Sequence, residues 1–132
     1  MRDLPLAGEI IDRPPVALWR HFPVDDQSAE SLAASTLLFQ RTYDWDLVKV
    51  TPASSFCLKD YGSEDEWRGE PEGTRQYTRR VIQKPEDWEK LAVIPPTSPH
   101  LARQLASLRL LRSAIELRFA RFLWIAHLSE PE

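Results

Sequence analysis

Three side chains that could bind or react with a polar ligand lie on or beside predicted strands. Arg20 and His21 close a predicted strand at residues 16–22, and Lys49 lies inside another at residues 47–51. An arginine holds a carboxylate through paired hydrogen bonds. A histidine titrates near neutral pH and can therefore act as an acid, a base or a metal ligand. We predict that Arg20, His21 and Lys49 bind substrate, whereas the sequence identifies no residue as catalytic.

Each of these three residues also has a purely structural interpretation. Arg20 could form an ion pair with a neighbouring carboxylate, Asp25 or Asp26, and His21 could be a partly exposed histidine without a ligand. Lys49 could face the interior of a barrel, where its charge needs a polar partner. It could equally lie on the other face, with its stem running out to water.

The sequence contains no local metal-binding motif. Cys57 is the single cysteine, and zinc needs three or four protein ligands, yet no Cys-x-x-Cys or His-x-x-x-His pattern accompanies it. The acidic residues at 64–66, with Glu70 and Glu72, do not have the spacing of a calcium loop. We therefore predict no metal site, a buried structural Cys57 and a solvated acidic hairpin.

The first fifty residues predict a strand, a helix and a second strand. The strand at residues 16–22 is apolar on both faces at its start, as in a buried parallel strand. Asp26 or Ser28 can cap the following helix, which ends near Tyr43 before the strand at residues 47–51. The predicted apolar stripe of the helix consists of Leu32, Ala34, Leu38, Phe39 and Tyr43. This order is that of a right-handed βαβ unit in an α/β fold.

The second half predicts a hairpin, a short helix and a long helix. Turn residues at 69–73 separate two β-prone runs, and Pro85 can begin a short helix. A helix over residues 99–128 would be about 45 Å long. Its apolar stripe would contain Leu101, Leu105, Leu108, Ile115, Phe119 and Phe122. The alternative for its final part is a strand at residues 122–126.

Length and composition favour a single soluble domain. The chain has 132 residues, 42% of them hydrophobic and 28% charged, which is ordinary for a globular protein. The formal net charge of −3 gives no field that attracts nucleic acid. No signal-peptide pattern and no run of about 20 apolar residues is present. With one cysteine, the sequence predicts a cytoplasmic location and no membrane contact.

Three stretches, taken in order, resemble the uroporphyrinogen decarboxylase-like family. Residues 13–20 (RPPVALWR) resemble its proline-led first strand, which ends in an arginine. Residues 39–50 (FQRTYDWDLVKV) resemble its first helix and second strand. The hairpin followed by residues 83–91 (QKPEDWEKL) is similar to its short Pro-Glu-Asp helix. The resemblance covers about residues 10–112, and residues 116–132 form a divergent tail.

The resemblance implies a partial (β/α)₈ TIM barrel. Such barrels typically need about 250 residues, so residues 1–132 would form a single truncated domain. It would contain the first two βα units, a hairpin and a long C-terminal helix. We expect the chain to be a gene fragment or frameshift product. Its exposed sheet edge and C-terminal helix would then favour self-association.

The resemblance also implies two kinds of parent activity. The decarboxylases of porphyrin biosynthesis act on a tetrapyrrole without a cofactor, and the related corrinoid-dependent methyltransferases commonly use zinc and a corrinoid. Arg20 matches the first substrate arginine of the decarboxylases, but Val24 occupies the position of the second. An aspartate is expected near Ala53 and is absent. These departures place the chain nearer the methyltransferase-like branch, so a tetrapyrrole or corrinoid-type substrate is expected for the full-length parent.

Acting alone, the chain is expected to be inactive because most of the barrel's active-site loops are missing. A second hypothesis makes it a non-catalytic subunit that associates through its amphipathic C-terminal helix. A third makes it a small α+β binding protein with no link to the family's chemistry.

Overall fold

In a computed structural model, the chain is described over residues 13–115 and 123–125. It is a mixed α/β structure with three α-helices, two 3-10 helices and two pairs of strands in these residues. The helices are α1 (Ala29–Tyr43), α2 (Phe56–Lys59) and α3 (Pro99–Ile115), with 3-10 helices at Asp25–Gln27 and Pro85–Lys90. The strands are β1 (Val48–Val50), β2 (Glu64–Glu66), β3 (Gln76–Arg79) and β4 (Leu123–Ile125).

Helix α1 begins and ends where local chemistry dictates. The Ser28 hydroxyl accepts a hydrogen bond from the Ser31 backbone N–H at 3.1 Å, which satisfies one free amide of the first turn. At the other end Asp44 adopts a left-handed conformation (φ 50°) and donates its N–H to the Gln40 carbonyl at 2.8 Å. The predicted cap at Ser28 and the end at Tyr43 are confirmed.

The predicted stripe of α1 is only partly correct. Leu32 is buried, but Ala34 and Leu38 face solvent. The inward face instead carries Ala33 and Thr36. Their small side chains allow α3 to pack against α1.

The predicted first strand does not form in the described residues. Residues 16–22 belong to no helix or strand, and we call them the extended segment after the conformation that the sequence predicts. Its Val16 carbonyl accepts a hydrogen bond from the Asp46 N–H at 3.0 Å, and the Val16 N–H donates to the Asp46 carboxylate at 2.9 Å. Val16 and Leu18 are at least half exposed. The strand prediction was therefore wrong here, because too few main-chain bonds form and neither face is fully covered.

The extended segment nevertheless runs beside β1 in the same direction. Val16 contacts Asp46, and three residues further along both stretches Trp19 contacts Lys49. Both contacts join residues that are 30 positions apart in sequence, as parallel alignment requires. Helix α1 connects the two stretches, so the predicted order of extended chain, helix and strand is present.

Strands β1 and β4 form a parallel pair, with Val48 opposite Leu123 and Val50 opposite Ile125. A core of Ala33, Val48, Val50 and Leu111 lies between this pair and the two long helices. A parallel pair needs a crossover connection, and α3 belongs to that connection.

The long helix prediction is corrected by β4. Helix α3 is described over Pro99–Ile115, and the backbone at Leu123–Ile125 is a strand. A continuous helix to residue 128 is therefore wrong, and the alternative strand at 122–126 is confirmed in its central residues. Aromatic and β-branched side chains favour an extended backbone. Phe119 and Phe122 of the predicted stripe lie outside the described residues.

The predicted hairpin is confirmed as the antiparallel pair β2 and β3, which has a bulge between Glu64 and Asp65. The predicted short helix with proline at its first position is the 3-10 helix Pro85–Lys90. Within the described ranges, every helix is too short or too polar to span a bilayer.

Candidate functional site

An open cleft of about 660 Å³ lies between the extended segment and the loop that joins β2 to β3. We call it the segment–hairpin cleft. It is lined by Trp19, Arg20, His21, Pro23, Trp67, Gly69, Glu70, Pro71, Glu72 and Gly73. Two of the three predicted binding residues, Arg20 and His21, therefore meet in one place.

The cleft lies at the carboxyl end of the extended segment, because its lining includes Arg20, His21 and Pro23 from that end. The hairpin that forms the opposite wall follows the carboxyl end of β1 in the chain. Ligands of open α/β sheets bind in crevices outside these ends, where loops from neighbouring strands meet. The position of the cleft is thus one at which an α/β fold commonly binds a ligand.

Gly73 fixes the close approach of the hairpin loop to His21. Its φ of 77° lies in the left-handed region, and a Cβ atom there would be 2.6 Å from the Cβ of His21. Only glycine combines this backbone conformation with so short an approach. The contact explains why Gly73 is buried although it belongs to a surface loop.

Arg20 is exposed at the rim of the cleft. Its Nε donates to the His21 carbonyl at 3.3 Å, and its guanidinium lies 5.4 Å from the ring centroid of Phe22. Among the ion pairs of the described residues none contains Arg20. The predicted pairing with Asp25 or Asp26 is therefore not observed, and the guanidinium can receive an anion from solvent.

Lys49 lies behind Trp19 and does not line the cleft. Its Nζ is 3.3 Å from the centroid of the Trp19 ring, a close cation–π contact. Val48 and Val50 are buried in the core, and Lys49 is half-buried between them in sequence. Since side chains alternate across a strand, Lys49 lies on the face of β1 opposite the helices. The sequence did not indicate on which face of the strand Lys49 lies, and the structure answers this question.

A buried charge cluster supports the hairpin behind the cleft. Asp65 is almost fully buried and accepts hydrogen bonds from Arg75 Nε at 2.5 Å and Lys59 Nζ at 2.9 Å. Arg75 also donates to the Pro23 carbonyl at 2.7 Å. Burial alone would raise the pKa of Asp65, but the hydrogen bonds and charges of Arg75 and Lys59 lower it overall. The cluster therefore ties the hairpin to the end of the extended segment.

A second buried carboxylate, Asp26, is only 1% exposed. Burial raises its pKa, although a hydrogen bond from Gln27 and the positive charges of Arg75 and Arg103 act in the opposite direction. Among the described residues, neither its Oδ2 atom nor the buried Nδ1 atom of His21 has a hydrogen-bond partner. The charge of His21 acts on the pKa of Asp26 in the same direction as the charges of Arg75 and Arg103.

The first turn of α3 is capped by a residue far away in sequence. Asp60 accepts hydrogen bonds from the backbone N–H groups of His100 at 3.0 Å and Leu101 at 3.0 Å. Burial and the charge of Arg103 lower the pKa of His100. Asp60 lies 40 residues before His100 in sequence, so the local sequence did not indicate its role.

The structure provides no metal centre among the residues it describes, where no three His, Cys, Asp or Glu side chains cluster. Cys57 is exposed, so the prediction of a buried cysteine was wrong. It lies on the single turn α2, where Cys57 and Leu58 are exposed and Lys59 turns toward Asp65. In the acidic hairpin, Glu64 pairs with Arg79 and Glu66 with Arg68.

Comparisons with family models, with curated proteins and with solved structures found no match to this chain.

Proposed function

We propose that this chain is the first part of a uroporphyrinogen decarboxylase-like barrel, and that its segment–hairpin cleft binds a ligand carrying a carboxylate. The observation that carries the proposal is the parallel alignment, in chain order, of the extended segment, β1 and β4. Neighbouring parallel strands joined by helices are the repeating unit of a (β/α)₈ barrel. The divergent tail contains β4, which would be the third strand of that barrel.

The orientation of Lys49 supports the barrel interpretation. In a barrel the helices cover the outside and alternate strand residues point inward. The core of Val48 and Val50 lies on the helix side of β1, so Lys49 would point into the barrel. An interior lysine needs a partner, and the Trp19 ring supplies one.

The charges of the cleft favour a ligand with few carboxylates. Among the described residues, Arg20 is the one arginine in its lining, whereas Glu70 and Glu72 contribute two negative charges. A substrate with many carboxylates would be repelled by this balance. Val24 and Ala53 have apolar side chains, so neither position carries the polar group that a decarboxylase would use. Val24 is 66% exposed and Ala53 is 1% exposed. These features support the branch that has diverged from the decarboxylases.

Zinc chemistry of the methyltransferase branch finds no support in these residues. Cys57 is exposed and belongs to no ligand cluster in the described part of the chain. If a full-length parent uses zinc and a corrinoid, other residues would have to hold them. We therefore derive the chemistry of this chain only from its own cleft.

The alternative of a non-catalytic subunit loses part of its basis. Leu108, Leu111 and Ile115 of α3 pack on the core of the same chain, so the helix has less apolar surface to offer a partner. Leu105 and Leu110 are more exposed. Self-association would instead use the open side of the extended segment, where Val16 and Leu18 are exposed.

The carboxylate proposal is tested by NMR titration of the tryptophan indole N–H signals with propionate, using propionamide as a neutral ligand of the same shape. Propionate should shift the signals of Trp19 and Trp67, whereas propionamide should not. Arg20→Gln should weaken propionate binding at least tenfold, since a charge-assisted hydrogen bond contributes roughly 1.5–3 kcal/mol. Arg41→Gln, on an exposed helix position, is the matched control. Equal binding of both ligands, or no effect of Arg20→Gln, would refute the proposal.

The expected lack of turnover has a separate test. Purified chain incubated with uroporphyrinogen should release no carbon dioxide, because strands and loops for most of the barrel are absent. Catalytic release of carbon dioxide would contradict the fragment interpretation while leaving the carboxylate site intact.

A further inference from the structure

The two walls of the segment–hairpin cleft carry opposite charges. Arg20 belongs to the extended segment, whereas Glu70 and Glu72 belong to the loop of the hairpin, and all three line the cleft. None of the ion pairs among the described residues joins the two walls. A carboxylate held at Arg20 would therefore still face two negative charges across the cleft. A ligand that also carries a positive charge would remove this conflict.

A tight turn holds the two glutamates in place. The Gly73 N–H donates to the Glu70 carbonyl at 2.9 Å, which closes a four-residue turn with Pro71 and Glu72 at its centre. The proline ring restricts the backbone of this turn, and Gly73 closely approaches His21 of the opposite wall. The backbone that carries both carboxylates is therefore anchored against the extended segment.

Both carboxylates keep acceptor capacity for a ligand. Glu70 accepts a hydrogen bond through Oε1 from Gln76 Nε2 at 2.8 Å, and an ionised carboxylate has about four acceptor sites. Glu72 is exposed, and no ion pair of the described residues contains it. The turn can thus offer oxygen acceptors to a group that donates several hydrogen bonds, as an ammonium group does.

Trp67 adds an aromatic ring to the hairpin wall. It is half-buried and lines the cleft, and among the described residues no cation stacks on its ring. The Trp19 ring on the other wall already contacts Lys49, whose Nζ lies 3.3 Å from its centroid. Ammonium groups are attracted by indole faces and by carboxylates. The hairpin wall therefore favours a cation, and the segment wall with Arg20 favours an anion.

We propose that the segment–hairpin cleft binds a zwitterionic amino acid, with its carboxylate at Arg20 and its ammonium group beside Glu70, Glu72 and Trp67. This inference rests on the proposed carboxylate site and adds the second charged group of the ligand. The three charged side chains leave the cleft with an excess of negative charge, so a simple carboxylate is partly repelled. A zwitterion turns the same charges into an attraction.

The test compares probes that differ by one ammonium group. In the NMR titration of the indole N–H signals, 2-aminopropionate and 3-aminopropionate are compared with propionate, and 4-aminobutyrate with butyrate. The three amino acids hold the ammonium group at increasing distances from the carboxylate. At least one should bind about tenfold more tightly than its reference, since ion pairs and a cation–π contact each add a modest gain. That amino acid should also shift the Trp67 signal more than its reference does.

Replacement of both cleft glutamates separates the two charged groups of the ligand. Glu70→Gln/Glu72→Gln should bind propionate more tightly, because the repulsion is lost, and the amino acid less tightly, because the ammonium group loses its partners. General damage to the cleft cannot produce these opposite changes. Glu86→Gln/Glu89→Gln is the matched control, because both positions are exposed on the 3-10 helix Pro85–Lys90 and do not line the cleft. It should leave both affinities unchanged.

Propionate binding without a gain for any of the three amino acids overturns this inference and leaves the carboxylate site intact. A gain that survives in Glu70→Gln/Glu72→Gln also overturns it, because the ammonium group then lies elsewhere. If neither propionate nor any amino acid binds, the proposed function fails as well. The comparison of probes in the native protein does not depend on the folding of any variant.

Discussion

Gly73 and Gly69 offer a matched pair of substitutions that measures the contact between the hairpin loop and His21. Both glycines have positive φ, 77° at Gly73 and 82° at Gly69. A Cβ at Gly69 would meet nothing within 4 Å, whereas one at Gly73 would be 2.6 Å from the Cβ of His21. The two alanine variants therefore share the same backbone strain and differ in the clash.

The expected losses of stability follow from this difference. An alanine in the left-handed region costs roughly 1–2 kcal/mol, and the stiffer unfolded chain of alanine returns about 0.4–1 kcal/mol. Gly69→Ala should therefore lower the free energy of unfolding by about 1 kcal/mol. Gly73→Ala must also push His21 away by about 1 Å, and such overpacking costs typically 1–3 kcal/mol. Its total loss should be about 2–4 kcal/mol.

Urea denaturation, followed by tryptophan fluorescence, measures both losses. The difference between the two variants is the informative quantity, because strain common to both cancels. Equal losses would refute the reasoning and show that the loop does not press on His21. A second readout is propionate binding, which Gly73→Ala should weaken.

Two further predictions concern the charges that hold α3 and the hairpin. Asp60→Ala should lower the free energy of unfolding by about 1–2 kcal/mol, as loss of an N-terminal cap does. Asp60→Asn should cost less, because one oxygen acceptor is kept. Equal losses in chemical denaturation would contradict the capping role. Asp65→Asn should cost about 3 kcal/mol or more, because it leaves Arg75 and Lys59 partly unpaired. Since the folded state lowers the pKa of Asp65, its contribution is complete above the ordinary aspartate pKa of about 4 and is lost as the pH falls through the folded value. A stability profile from pH 2 to 7 should therefore be flatter on the acid side in Asp65→Asn, and an unchanged acid slope would contradict the assigned pKa direction.

The elements with strong local signals were predictable from the sequence. Ser28 and Tyr43 mark the ends of α1 through capping chemistry, and turn residues mark the hairpin. The strand at residues 122–126 was predicted only as an alternative to a continuous helix, because an apolar run without glycine or proline fits a helix as well as a strand. The open edge of β1 decides between the two, and this edge is a tertiary feature.

The buried faces of the helices were harder to predict. Leu108 and Ile115 of the predicted stripe of α3 pack on the core, but Leu105 is more exposed while Gln104 and Ser107 are buried, so polarity in the sequence indicated the buried face only in part. The same holds for the site. Arg20 and His21 were predicted because they close a strand-like run, whereas Arg75 and Gly73 make contacts with Asp65 and His21 that local spacing does not encode.

The pairing of β1 with β4 has a consequence for synthesis of the chain. Val50 lies opposite Ile125, so a nascent chain completes β1 long before its partner strand has been made. At 5–20 residues per second, the interval between them is roughly 4–15 s. During this time Val48 and Val50 lack both their partner strand and the Leu111 side of their core. The waiting strand exposes Val48 and Val50 and lacks β4, and a ribosome-bound intermediate of this length should therefore be a substrate for chaperones that bind short hydrophobic segments.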